Sequence, residues 1–334
     1  MSNKNFTYLF FLTIILFFLA TLSFLIQPRY ETSLKKGGLI FDNVENQLNE
    51  IKEINIDNIK KKISIIKDND NWYMASKFNY KVKNEVVRRN LIQISELRFF
   101  EKKTKEDFLY SRLDLDYPND EEGNSKLISI INTDDKAVLQ FILGKEKKNG
   151  VYIKKLKDKQ TWLTSGILEM SSNDKDWLET KILDLNYEDI KNVSIDHVNK
   201  SDSFSLTKDD EKLNFLINNL TKDQIPKSDL IANFIGYFFT NLVFEDVINR
   251  NNPLDNNIVT KINFKLFDDI NISGIIFRKD NDKWVNIDIS DESISKLREN
   301  KKIFVPNIRD WSYKLNSTKY NVTDAKLDDL LVED

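Results

Sequence analysis

Two periods of apolar and polar positions run along this chain, in an order that occurs twice. Ile51, Ile54 and Ile56 alternate with Glu53 and Asn55, a strand pattern over Ile51–Asp57 with one irregularity. Lys62–Lys67 and Trp72–Met74 flank Asp68-Asn69-Asp70-Asn71. Asx side chains tolerate left-handed backbone and bond their own amides, so this reads as a hairpin. From Asn84 to Glu96 the apolar residues Val87, Leu91, Ile94 and the following Leu97 share one helix face. A strand over Leu97–Glu101 follows, and then a polar stretch containing Pro118. Lys126–Asn132 and Ala137–Leu143 are the next strands, joined at Asp134-Asp135, with Gly150–Lys155 after them. Strand, strand, helix and meander predict an α+β layer with the helix on one sheet face.

The second half runs through the same order. Ile190–Asp196 and Phe204–Lys208 match the opening strands, and Leu230, Ile231, Phe234, Ile235, Phe238 and Leu242 form a broad helical stripe. Leu97-Arg98-Phe99 corresponds to Leu242-Val243-Phe244, and Ile128–Gly144 aligns with Ile262–Arg278, setting Asp134-Asp135 opposite Asp268-Asp269. The same spacing carries Asp176-Trp177 to Asp310-Trp311. Landmarks in one order at near-constant spacing predict a tandem duplication: two similar subdomains, residues 39–186 and 187–334, with Asp174–Asp196 as the seam.

The N-terminus differs. After a tail over residues 1–5, Phe6–Ile26 carries no charge, and its only polar residues are Thr7, Thr13, Thr21 and Ser23. As a helix it reaches roughly 30 Å, the thickness of a bilayer core, so residues 6–26 are expected to be a transmembrane helix. The run is too long, and lacks the small residues, for a cleaved signal peptide. Residues 27–38 read as a tether ending in Gly37-Gly38. Lys4 on one side and Arg29, Lys35 and Lys36 on the other give no clear orientation.

Composition narrows the chemistry. Lys and Arg number 50 against 53 Asp and Glu, for a net charge of −3, which gives no reason to expect nucleic acid. There is no cysteine, and His197 is the one histidine, so thiolate chemistry and His-rich metal clusters are excluded. Phosphate-loop, nucleophile-elbow and zinc-protease motifs are absent. Asp134-Asp135 and Asp268-Asp269 sit where turns belong, while Glu121-Glu122 is a lone acid pair. Lys60-Lys61-Lys62 and Lys102-Lys103 read as solvated faces. Trp177 and Trp311 read as rings that close their subdomains, with a partner interface as the second role. No catalytic, cofactor or metal residue is expected, and the chain reads as non-enzymatic.

Several strings in order resemble the proteobacterial branch of domain-of-unknown-function family 4340. Gly38-Leu39-Ile40-Phe41 with Val44–Ile51 looks like the opening, followed by Trp72. Leu97–Thr104, Leu113–Pro118, Gly144-Lys145, Gly150–Ile153, Thr161-Trp162-Leu163 and Asp176-Trp177-Leu178 through Leu185 continue it. Arg112 stands where the family more often has Gly. The resemblance makes Trp72 and Trp162, with Trp177 and Trp311, structural or interface candidates. It implies a single-span bacterial inner-membrane protein, N-terminus cytoplasmic and C-terminal domain periplasmic. It also implies an accessory role beside ABC-type transport or envelope export, with a transporter or envelope protein as partner. The alternative is a periplasmic ligand- or glycan-binding module with its site between the two repeats.

Overall fold

The computed structural model describes residues 12–18, 37–42, 44–119, 123–148, 150–209, 214–250 and 257–333. Its strands are β1 (Ile51–Asp57), β2 (Lys62–Asp68), β3 (Asn71–Met74), β4 (Tyr80–Lys81), β5 (Arg98–Lys102), β6 (Lys126–Asn132), β7 (Ala137–Lys147), β8 (Gly150–Lys155) and β9 (Thr161–Ser165). Then come β10 (Lys181–Leu183), β11 (Ile190–His197), β12 (Phe204–Thr207), β13 (Leu216–Ile217), β14 (Leu242–Val243) and β15 (Asp246–Asn249). β16 (Asn257–Leu266), β17 (Asn271–Lys279), β18 (Asp282–Ile289) and β19 (Trp311–Lys314) complete them. The first sheet has the order β4-β3-β2-β1-β6-β7-β8-β9-β5, and the second β13-β12-β11-β16-β17-β18-β19-β15. From β3 to β5 and from β13 to β15 the two orders are the same. Among the described residues every strand pairing in the two sheets is antiparallel.

The expected class needs correction. An α+β layer with an N-terminal transmembrane helix was anticipated, but the described residues are predominantly antiparallel sheet. No helix among them is long and apolar enough to cross a membrane. Of the Phe6–Ile26 stretch only residues 12–18 are described, as a helical piece, and the rest lies outside the described residues.

The two units diverge most at their helices. Asn84–Glu96 is a regular helix that buries Val86, Val87, Leu91 and Ile94, with Glu85 in the first turn where the helix dipole favours a negative charge. In the second unit the expected helix shrinks to Asn233–Gly236. Around it the backbone closes i→i+3 bonds: Asn233 to Leu230, Tyr237 to Phe234 and Thr240 to Tyr237. Such turns rise faster per residue than an α-helix, and Asn241 ends them in left-handed backbone at φ 44. Gly236 lies where a Cβ would meet the Phe215 and Tyr187 rings at 2.6 and 2.8 Å, so the segment is wedged tightly between aromatic rings.

Strand-edge pairings fix the correspondence between the units. Leu178 bridges Val82, with Lys83 N donating to Trp177 O at 2.8 Å and Glu179 N to Lys81 O at 3.2 Å. Leu331 bridges Pro226 in the same way, with Lys227 N donating to Leu330 O at 2.9 Å and Val332 N to Ile225 O at 2.8 Å. On the opposite side Leu39 bridges Arg98, as β10 pairs with β14. The structural partner of Trp177 is therefore Leu330. Trp162, paired with Ile153 and Lys102, corresponds by register to Tyr313, paired with Val285 and Val247, and Trp311 lies two residues earlier on β19.

The units join side by side through one seam. Tyr80, buried on β4, packs edge-on against Phe244 and Trp311, with ring centroids 5.4 and 4.9 Å away. Lys77 bonds Asp246 at 2.7 Å and lies 3.6 Å from Asp174, while Lys61 pairs with Asp174 and Lys175 with Glu245. One apolar core runs through both units. Replacing Tyr80 with Ala is expected to cost about 3–5 kcal/mol, the range for truncating a large buried ring. Calorimetry is also expected to split a single unfolding transition into two as the units uncouple.

Candidate functional site

The four tryptophans singled out from the sequence lie in four settings. Trp72, on β3, is buried in the first unit's core. Trp177 is fully buried at the end of the Asp174–Trp177 helix, its indole Nε1 donating to Ser171 O at 2.9 Å. Asn173 caps that helix, accepting from Lys175 N at 3.2 Å. Trp311 is buried in the seam. Trp162, the counterpart of Tyr313, lies half-buried at the outer end of the first sheet.

That outer end is one of two candidate sites. Phe99 and Trp162 form a T-shaped pair with centroids 4.5 Å apart. Lys155 sits 5.7 Å from the Phe99 ring and Lys102 5.6 Å from Trp162, placing cations over aromatic faces. Phe100 is 46% exposed and Phe108 76% exposed. The positions equivalent to Phe99 and Trp162 in the second unit, Phe244 and Tyr313, are 1% and 0% exposed, with Tyr80 of the first unit packed on Phe244. One aromatic surface thus occurs twice, covered once.

The second candidate is a polar cleft of 750 Å³ beside Trp177 in the first unit. Lys83, Arg89, Lys126 and Lys175 line it, against Glu85, Glu146, Glu169 and Asp176. Arg89 bonds Glu169 at 2.9 Å, Asp176 accepts from Ser171, and Lys126 Nζ donates to Met170 O at 2.6 Å. Burial lowers the Lys126 ammonium below the usual lysine range, while Glu146 opposes that shift. Charges of both signs alternate here without a base held against a nucleophile. The arrangement can orient a polar or zwitterionic group, but it assembles no reacting pair.

In the second unit the chain between β19 and the Leu327–Leu330 helix forms another helix, Ser317–Asp324, where residues 166–173 of the first unit have none. Its Lys319 reaches Tyr237 O at 2.7 Å and Thr240 O at 2.9 Å. Burial lowers Lys319 to about 8, against opposition from Asp184. His197 is half-buried, with Nε2 2.8 Å from Ala325 O and Nδ1 3.2 Å from Thr260 Oγ1, a structural tie rather than a reactive position. Asp135 and Asp269 both take left-handed backbone at φ 63 in strand turns. Glu121-Glu122 lies outside the described residues. No group of three or more potential metal ligands occurs among the described residues.

A family profile described as Domain of unknown function (DUF4340) matches residues 72–283, more than half of the chain. The chain belongs to the DUF4340 family. No curated protein and no solved structure matches it. The DUF4340 match begins at Trp72, spans the seam and ends at Lys283, so it covers most of both sheets.

Two outcomes test this description of the family member. Trp177→Ala is expected to lose about 3–5 kcal/mol in chemical denaturation followed by circular dichroism. Loss of a binding activity at unchanged stability would assign Trp177 to an interface instead. For Lys319 the folded value lies below the unfolded one. The unfolded chain therefore binds more protons between about pH 8 and the normal lysine range, and stability rises with pH across that window. In Lys319→Met this rise is expected to shrink, as read by denaturation at pH 7.5 and 9.5.

Proposed function

We propose that this DUF4340 chain is a non-enzymatic interaction module, a subunit of an envelope or transport assembly that engages other chains through the outer end of its first sheet. The observation that carries the reading is the half-exposed Phe99–Trp162 pair flanked by exposed Phe100, on a surface whose equivalent in the second unit is buried by protein. Aromatic residues with lysine stems folded over them supply apolar area and a polar rim together, the composition of protein interfaces. The seam favours this reading over a ligand held between the two units, because Tyr80, Phe244, Trp311 and Tyr313 fill that junction.

A second reading places a small polar ligand in the cleft beside Trp177. What favours it is the absence, in residues 166–173, of the helix that occupies the corresponding stretch of the second unit. A ligand binding only the native state raises the melting temperature, so a thermal-shift screen of zwitterions and oligosaccharides separates the two readings. The interaction reading is tested by a photo-cross-linking residue placed at Phe108 in producing cells. The expected result is a discrete adduct identified by mass spectrometry, lost when Phe99 is replaced by Asp. A cell-wide absence of adducts overturns the reading.

A further inference from the structure

We infer that the outer end of the first sheet is a docking surface for a second copy of this chain, bound head to tail through the C-terminal end of that copy's second unit. The inference rests on the interaction reading above and names its partner. Inside each chain the contact already exists once. The seam seats the edge of the first unit, carrying Lys77, Tyr80 and Lys175, on the β14–β15 side of the second, carrying Phe244, Glu245, Asp246 and Trp311. Because the two sheets share one strand order, each unit has a face of either kind. The seam uses one of each and, among the described residues, leaves one of each free.

The free receiving face is the β5–β9 end, where Phe99, Phe100 and Trp162 stand in place of Phe244, Glu245 and Tyr313. The free donating face is formed by Ile225–Lys227 and Leu330–Val332, which pair as Lys81–Lys83 and Trp177–Glu179 do in the first unit. It exposes Ile225 at 62% and Val332 at 54%. Apolar surface is thus left open on both faces.

Charge selects the pairing. In the seam the donating face brings cations, Lys77 and Lys175, to acids at Glu245 and Asp246. At the free ends the signs are exchanged. The receiving face carries exposed Arg98 and Lys102, with Glu101 in the place of Asp246 held by Lys103, while the donating face carries exposed Asp328, Asp329 and Glu333 beside Lys227. A reversal of sign also appears within the units: Lys61 holds Asp174 in the first, and its equivalent Asp202 holds Lys326, the cap residue before the matching helix, at 3.1 Å. A free receiving face therefore complements a free donating face, whereas two receiving faces brought together would oppose like charges. A contact between unlike faces is heterologous, and repeating it builds a ring or an open chain of copies.

The test uses the full chain in detergent, where the lack of native cysteine lets each introduced thiol report alone. Phe100→Cys and Asp328→Cys occupy the positions equivalent to the paired Glu245 and Lys175. With a short thiol-specific cross-linker, a mixture of the two single variants is expected to give cross-linked dimers that neither variant gives alone. Sedimentation is expected to show association that weakens at least several-fold between 50 and 500 mM salt, on the order of the screening expected for exposed charges. Arg98→Glu with Lys102→Glu is expected to abolish it, and Asp328→Lys with Asp329→Lys to restore it in the same chain. Cross-linking of Phe100→Cys to itself, or a monomer insensitive to these charge reversals, overturns the inference. So does a Phe108 adduct made only with a different protein or with residues before Gly37, and such an adduct to a different protein leaves the interaction reading standing.

Discussion

The structure depends on the run from Asp174 to Leu183, because it belongs to both sheets at once. Leu178 and Glu179 extend the edge of the first sheet at β4. Three residues later β10 pairs with β14 and opens the second unit. No free linker separates these two duties. Asp174, nearly buried, accepts Lys61 and lies within ion-pair reach of Lys77, which also holds Asp246 across the junction. Tyr80 fills the space behind them with an aromatic contact on each side. Independent domain motion is the ordinary expectation where an interface is small and polar. Here a shared strand run, a continuous apolar core and a buried ring argue for a single rigid body.

Irregular backbone in such a molecule raises a second demand. The 3₁₀-type turns over residues 228–240 and the loops beside the strands leave carbonyl groups that no helix ladder satisfies, and an unpaired buried carbonyl costs about 1–3 kcal/mol. Lysines meet the demand. Lys319 donates to Tyr237 O and Thr240 O, Lys208 to Tyr187 O at 2.7 Å and Glu188 O at 3.2 Å, and Lys126 to Met170 O. Lys208 also lies 4.4 Å from the Tyr187 ring, so its long stem and cationic head are both used. Burial lowers all three ammonium groups, which is the electrostatic cost of using lysine as a backbone cap.

Strand periods and turn chemistry were legible in the sequence, and relations set by hydrogen-bond register were not. The Asn84–Glu96 helix could be read to the residue, since four apolar positions on one face are a local signal. Its counterpart failed because the stripe over Leu230–Leu242 shows only that one side is buried. Whether the backbone coils as α or 3₁₀ depends on Tyr187 and Phe215 pressing on Gly236, residues remote in sequence. The Asp-Trp recurrence misled for a related reason. A matching dipeptide was taken as a matching position, yet Trp311 begins β19 whereas Trp177 ends a short helix. The strand β9 carries few alternating signals and is recognised only through its pairing with β5 and β8. The candidate surface was legible only in part for the same reason: Trp162 could be named, but its exposure follows from which unit covers which.

Two units with one strand order face a hazard that unlike domains avoid: either receiving face could accept either donating face while the chain folds. The charges remove the ambiguity. Lys77 and Lys175 meet Asp246 and Glu245 in the seam, but at a β5–β9 end they would find Phe100 in place of Glu245, and Glu101 flanked by Arg98, Lys102 and Lys103. Like charges brought close at an interface cost several kcal/mol, more than most single attractive contacts contribute. The sign exchange at the outer ends therefore excludes wrong pairings as effectively as Tyr80 rewards the right one. A surface that needed only to stay solvated would have no reason to gain Arg98 and Lys102 where the second unit has Val243 and Val247, while retaining Phe99 and Trp162 beside them.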